Sequence, residues 1–167
     1  MEEKLPSRKH VRLKPHNYNN PGSYFVTICT NRREQTLSVV GAIHESPAIK
    51  LKEYGVIVED VIKHLPSHLN VNLDRYVIMP DHVHLLFVIT RENAERAIRE
   101  SPLRNRSIIS NAVGYIKTCV SKKIHSNFAN NDVIWQRSYY EHIIRDKNDY
   151  DEIVKYIHEN PLKWQYK

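Results

Sequence analysis

The sequence predicts a mixed domain of strands and helices organised around one buried central strand. The run His82-Val-His-Leu-Leu-Phe-Val-Ile89 is apolar on both faces once past its histidines, and such a strand is covered by layers on both sides. It follows a second β-rich run, 71–79, across Pro80-Asp81. Proline cannot donate to a ladder and aspartate favours turns, so the chain reverses there. Amphipathic stripes before and after this pair mark helices able to cover it. At 167 residues the chain reads as one domain with one sizeable core.

Residues 1–22 read as a basic N-terminal arm and 23–167 as the folded domain. Arg8, Lys9, His10, Arg12 and Lys14 lead into Asn17-Tyr-Asn-Asn-Pro-Gly22; such an arm is either a solvated tail or a set of phosphate contacts. Tyr24-Phe-Val-Thr-Ile-Cys-Thr30 is β-branched and aromatic after a Pro-Gly turn, which predicts a strand. The following loop offers Arg32 and Arg33 to a nucleic-acid backbone. Residues 36–50 are ambiguous, with one short strand around Val39–His44. From Leu51 onward, Tyr54, Val58, Val61, Ile62 and Leu65 recur at helical spacing, with a stop expected near Pro66.

Beyond the histidine strand, 91–105 is charged and irregular, with a short helix over 92–100. A longer helix over 107–126 carries the apolar stripe Ile109, Val113, Ile116, Val120 and Ile124. Lys117, Lys122 and Lys123 lie off that stripe. Exposed lysines are ordinarily just solvated, and Lys117 and Lys122 are also candidate phosphate contacts. Residues 133–145 suit a last strand or a core-covering segment, with Arg137, His142 and Arg145 available to an anionic ligand. A final helix begins at an Asn148-Asp149 cap and closes at Pro161. Tyr150, Ile153, Val154 and Ile157 form its buried stripe. Tyr156 stands at the edge of that stripe, and Asn160 lies one turn above it on the same face.

The composition, 41% hydrophobic and 26% charged, is that of a globular protein. A net charge of +6 and a pI near 9.3 suit an anionic partner, and no basic amphipathic helix points to a membrane. The longest apolar run, Leu85–Ile89, is too short to span a bilayer. Met1-Glu-Glu-Lys-Leu-Pro has no apolar signal core, so a cytoplasmic location is expected. Cys29 and Cys119 are isolated and read as reduced.

Strand side chains alternate, so His82 and His84 share a face, about 7 Å apart along the strand. They are either hydrogen-bonded rim residues or two neutral imidazoles holding one divalent ion. If the end of the last helix packs beside this strand, His82, His84 and Asn160 surround a cation with the Tyr156 hydroxyl one turn away. A phosphodiester bound there is polarised for in-line attack, and the phosphotyrosine formed is readily reversed. Tyr156 taken alone is more often a packing residue than a nucleophile. Imidazole ligands favour Mn²⁺ or Zn²⁺ over Mg²⁺, whereas phosphate and water suit Mg²⁺.

Met79-Pro-Asp-His-Val-His84 resembles the histidine–hydrophobic–histidine motif of the HUH endonuclease superfamily. Trp135-Gln-Arg-Ser-Tyr-Tyr-Glu-His-Ile-Ile-Arg145, Tyr156-Ile-His-Glu-Asn-Pro161 and the opening Tyr18–Thr30 stretch are similar to motifs of one branch, the REP-associated tyrosine transposases. The resemblance runs from about residue 8 to 164. It implies an α+β fold, a ferredoxin-like sandwich with a central antiparallel sheet carrying the His-x-His motif and helices packed on it. It implies cleavage and joining of single-stranded DNA at hairpin-forming repeats, with a 5′-phosphotyrosine intermediate, Mg²⁺ or Mn²⁺ as cofactor, and a monomer or homodimer. By the same resemblance His82 and His84 are metal ligands and Tyr156 the nucleophile. Asn160 falls where related transposases place a metal-coordinating Gln, and Asp81 replaces the Asn more common before the first histidine. Two other readings stand beside this one. A hairpin-binding protein without cleavage would bind DNA independently of metal. A metal-dependent RNA or nucleotide phosphodiesterase would form no covalent adduct and would leave the Tyr156/Asn160 pair without a role.

Overall fold

The computed structural model describes residues 20–43, 46–69, 71–100 and 107–164. In chain order these form β1 (Gly22–Cys29), β2 (Ser38–Ile43), β3 (Ser46–Leu51), α1 (Glu53–His68), β4 (Asn72–Ile78), β5 (His82–Ile89), α2 (Arg91–Glu100), α3 (Ile108–Phe128), β6 (Tyr140–Ile144) and α4 (Lys147–Trp164). A short 3₁₀ turn, Asn31–Arg33, follows β1. The arginines and lysines proposed for the N-terminal arm, Arg8, Lys9, Arg12 and Lys14, lie outside the described residues. No helix among the described residues is long and apolar enough to cross a membrane.

One antiparallel sheet, in the order β4-β5-β1-β6, sets the architecture. The histidine strand β5 is an inner strand, with Thr27 of β1 and Val77 of β4 opposite His84 and Cys29 opposite His82. Its two faces bury against different layers, as its composition requires. Val83, Leu85, Phe87 and Ile89 join the α1 and α3 stripes in the larger core. Leu86, on the histidine face, joins Val77, Met79 and Ile157, with Phe25, Ile153 and Val154 packed around them. A fully buried side chain of this kind is worth about 1.5–3 kcal/mol, so the small second cluster is enough to seat α4 on the histidine face. Polar contacts pin that helix at its start: the Tyr150 hydroxyl donates to Asp74 Oδ2 at 2.7 Å, and Asp149 receives His142 Nε2 at 2.9 Å.

Several elements differ from expectation. Residues 36–50 hold no single strand. β2 and β3 pair with each other as a separate two-stranded sheet, and Pro47, which cannot donate to a ladder, lies opposite Ala42. Its proline hides β3 from a propensity reading. Helix α1 continues to His68, beyond Pro66. Asp146, rather than the Asn148-Asp149 pair, caps α4: its Oδ1 accepts from Asp149 N at 3.0 Å and its carbonyl from Tyr150 N at 3.1 Å. Asp149 is occupied with His142 and the Arg145 amide. Pro161 lies inside α4. A proline removes one ladder bond, yet the turn beyond it persists and sets Trp164 against His82, ring centroids 5.8 Å apart.

Candidate active site

The tight link between β4 and β5 brings a polar cluster to the mouth of the sheet. Met79 N donates to His82 O at 2.8 Å across the Pro80-Asp81 reversal, and Thr30, at the end of β1, donates its amide and hydroxyl to Asp81 O, each at 2.9 Å. His82 and His84 therefore leave a held backbone on the same face. Their rings turn toward each other until the two Nε2 atoms are 3.0 Å apart. The far side of each ring is engaged. His82 Nδ1 donates to Asp81 Oδ1, and His84 Nδ1 meets Thr27 Oγ1 at 2.8 Å. Asn160, buried on α4, places Nδ2 at 3.2 Å from His84 Nε2.

The carboxylate of Asp81 keeps the His82 proton on Nδ1, which leaves a lone pair on Nε2. Burial, then the nearby His82 and Arg33, push His84 down to about 3, so its imidazole is neutral at pH 7. The two Nε2 atoms, 3.0 Å apart, are close enough to share a proton or a cation. Cis ligands of one octahedral ion at about 2.1 Å would sit about 3.0 Å apart, so the pair fits a divalent ion. Among the described residues no group of three or more His, Cys, Asp and Glu side chains gathers as a metal cage. Beside the pair, the Asn160 amide would present Oδ1 to such an ion in place of Nδ2 after a half-turn.

Tyr156 completes the cluster. Its ring lies 5.2 Å from the His84 ring and meets the edge of Phe25 at 5.9 Å. It is 39% exposed. Its hydroxyl has no hydrogen-bond partner among the described residues and is open to a cleft of about 560 Å³. His82, His84, Asp81, Arg33 and Trp164 line the same cleft. Thus His82, His84, Asn160 and Tyr156, singled out in the sequence, meet at one place in one chain.

The other candidates are dispersed. Arg33 borders the cleft, and its Nη1 lies 3.5 Å from Asp81 Oδ2; Arg32 is exposed on the same turn. Lys117 and Lys122 belong to α3, on the opposite face of the sheet. Lys117 Nζ donates to the carbonyls of Gln136 at 2.7 Å and Ser138 at 2.9 Å, and so fastens the stretch that bridges Thr30 through Trp135. Lys122 and Arg137 are exposed and are not among the residues lining the cleft. His142 and Arg145 stand at the β6–α4 corner around Asp149. Sequence reasoning passed over Thr27, Phe25 and Trp164. Register gives the signal for Thr27, which lies opposite His84; Trp164 had none, because Pro161 appeared to end the helix before it.

No family model matches the chain. It is 34% identical over 167 residues to an uncharacterized protein of Haemophilus influenzae, covering 95% of this chain and 90% of that one. It is 24% identical over 147 residues to the REP-associated tyrosine transposase of Escherichia coli K12, covering 87% of this chain and 70% of that protein. The solved structure of a REP-associated tyrosine transposase bound to a REP hairpin shares its fold. The TM-score is 0.63 at 21% identity, over 93% of this chain and 76% of the other.

Proposed function

The chain belongs to the REP-associated tyrosine transposase family, and from that premise we propose that it cuts and rejoins single-stranded DNA beside hairpin-forming repeats through a 5′-phosphotyrosine intermediate. One observation carries the reading: an open phenol lies 5.2 Å, ring to ring, from one of two histidines whose Nε2 atoms face each other at 3.0 Å.

In this reaction the Tyr156 oxygen attacks the scissile phosphorus. The Oη–P bond forms as the P–O3′ bond breaks, the phenol gives up its proton, and the departing 3′ oxygen takes one up. Attack of a 3′-hydroxyl on the phosphotyrosine reverses each of these changes, so joining needs no outside energy source. His82, His84 and Asn160 would hold Mg²⁺ or Mn²⁺, which when bound supplies Lewis-acid polarisation of the phosphodiester. Phe25 and the α4 backbone fix the direction of the phenol, and Asp81 and Thr27 fix the two imidazoles. Ligands and nucleophile come from one chain, so the reading needs no second copy. The basic arm, through Arg8, Lys9, Arg12 and Lys14, reads a short stretch beside the hairpin foot, with Arg32 on the backbone.

The test uses single-stranded oligonucleotides carrying the repeats that flank the gene, incubated with Mn²⁺ or Mg²⁺ or with a chelator. A protease-sensitive shifted band on a denaturing gel, absent with the chelator, is the expected result. Metal-independent hairpin binding with no cleavage under either ion would replace this reading with that of a binding protein. Asp81 adds a graded prediction. Asp81→Ala removes the acceptor that fixes the His82 proton, and losing such an outer partner typically costs about 10–100-fold in metal affinity or activity. The Mn²⁺ concentration giving half-maximal adduct should rise by that factor; an unchanged titration would show that His82 needs no such orientation.

A further inference from the structure

The turn after β1 departs from ordinary backbone at two successive residues. Arg32 and Arg33 have φ of 52° and 59°, in the left-handed region, and neither is glycine. The other non-glycine residue with positive φ among those described, Ala129, is the C-cap of α3, where that conformation is common. The arginine pair instead ends the 3₁₀ turn Asn31–Arg33, with extended backbone on either side at Thr30 and Glu34. Hydrogen bonds hold it in place: Arg33 N donates to Thr30 O at 3.2 Å, Glu34 N to Asn31 O at 3.1 Å, and the Thr30 hydroxyl to Glu34 O at 2.8 Å. A bulky residue held in this region marks a functional constraint more often than an accident. Here the result is that the Arg33 side chain borders the cleft.

The charges lining that cleft are few. Among the described residues that line it, Arg33 is the one fixed cation and Asp81 the one carboxylate. Asp81 gives one oxygen to His82 and the other to Arg33 at 3.5 Å, the long limit of a hydrogen bond. The Arg33 side chain is 48% exposed, so this single long contact is readily given up. A guanidinium carries five N–H donors in a fork that matches phosphate oxygens, and the contacts among the described residues use one of them.

Building on the strand-transfer reading, we propose that Arg33 is a catalytic residue that swings from Asp81 onto the non-bridging oxygens of the scissile phosphodiester. It neutralises charge where the phosphoryl group is transferred, and the strained turn aims it there before DNA arrives. Arg32, exposed on the same turn, keeps the ordinary role of a backbone contact.

Single-turnover adduct formation at saturating DNA tests this, using a flanking-repeat hairpin oligonucleotide whose scissile position is mapped from the parent protein's own product. Arg33→Met should slow the reaction about 10²–10³-fold, the cost of losing one preorganised charge-stabilising donor. Affinity measured by anisotropy in chelator should stay within about threefold, since this is one phosphate contact among several. Arg33→Lys, which can keep a charge beside Asp81, guards against a folding defect and should recover only part of the rate, because it lacks the fork. On an oligonucleotide with an uncharged methylphosphonate at the scissile position, the parent and Arg33→Met should differ by less than about tenfold, because the charge Arg33 answers is gone. An equal penalty on both substrates would mean that Arg33 acts through the turn alone, and an Arg33→Lys rate equal to the parent's would rule out the fork; either result overturns the proposal. A parent protein that forms no adduct sinks the strand-transfer reading itself, whereas a reactive parent matched by both variants sinks only the role of Arg33.

Discussion

Tyr156→Phe should remove the covalent protein–DNA adduct entirely while leaving hairpin affinity within about twofold, since a residue acting only in the transition state contributes little to ground-state binding. The substitution deletes one oxygen. The ring keeps its edge contact with Phe25 and its place beside His84. Because the hydroxyl has no hydrogen-bond partner among the described residues and the side chain is exposed, stability should change by no more than about 0.5 kcal/mol. A lost adduct can then be assigned to the missing nucleophile and not to unfolding. The nearest rivals differ in placement. The Tyr139 hydroxyl is 3.0 Å from Ser110 Oγ on α3, on the sheet face away from the histidines. Tyr140 is the stronger rival: it lies opposite Thr27, as His84 does from the other side, so it shares the histidine face at a distance of two strand spacings, about 10 Å. An adduct that survives Tyr156→Phe and disappears in Tyr140→Phe would move the nucleophile from α4 to β6.

The strength of that prediction depends on features that can be read in one dimension. A strand apolar on both faces must be an inner strand, and β5 is one. The alternation that puts His82 and His84 together is local, and so is the four-residue step from Tyr156 to Asn160. The α3 stripe from Ile109 to Ile124 is buried as its period requires. What escaped reading depends on contacts between distant segments. Thr27 matters only through its register with β5. Lys117 looks like any solvated lysine until the chain near Gln136 folds back beneath it. β3 carries a proline that propensity rules count against, and its pairing with β2 outweighs that local cost. The Asn148-Asp149 pair reads as the cap in sequence, but Asp149 is engaged by His142 and the cap falls to Asp146.

Gly55 shows the same limit with the largest expected effect on stability, and two opposing terms decide its sign. It lies in the first turn of α1, where replacing glycine by alanine normally stabilises a helix by about 1 kcal/mol. A Cβ built there would fall 2.0 Å from Leu37 O and 3.0 Å from Leu37 C, both backbone atoms. Leu37 is buried and tied at both ends: its carbonyl accepts from Lys52 N at 2.9 Å, and its amide donates to Pro80 O at 3.0 Å, one residue before Asp81. Restoring ordinary contact means moving the helix start and Leu37 apart by more than 1 Å. Overpacking of this kind costs about 1–3 kcal/mol, and the strained or lost Lys52–Leu37 bond adds about 1 kcal/mol. Together these outweigh the propensity gain, so Gly55→Ala should destabilise the protein by about 1–3 kcal/mol, read as a lower urea midpoint at unchanged slope. Gly114, on the exposed side of α3 with nothing within 4 Å of its added Cβ, supplies the opposite sign: Gly114→Ala should stabilise by about 1 kcal/mol. If both alanines shift the midpoint upward, α1 does not approach Leu37 as described, and the support beneath the turn that presents His82 would have to be redrawn.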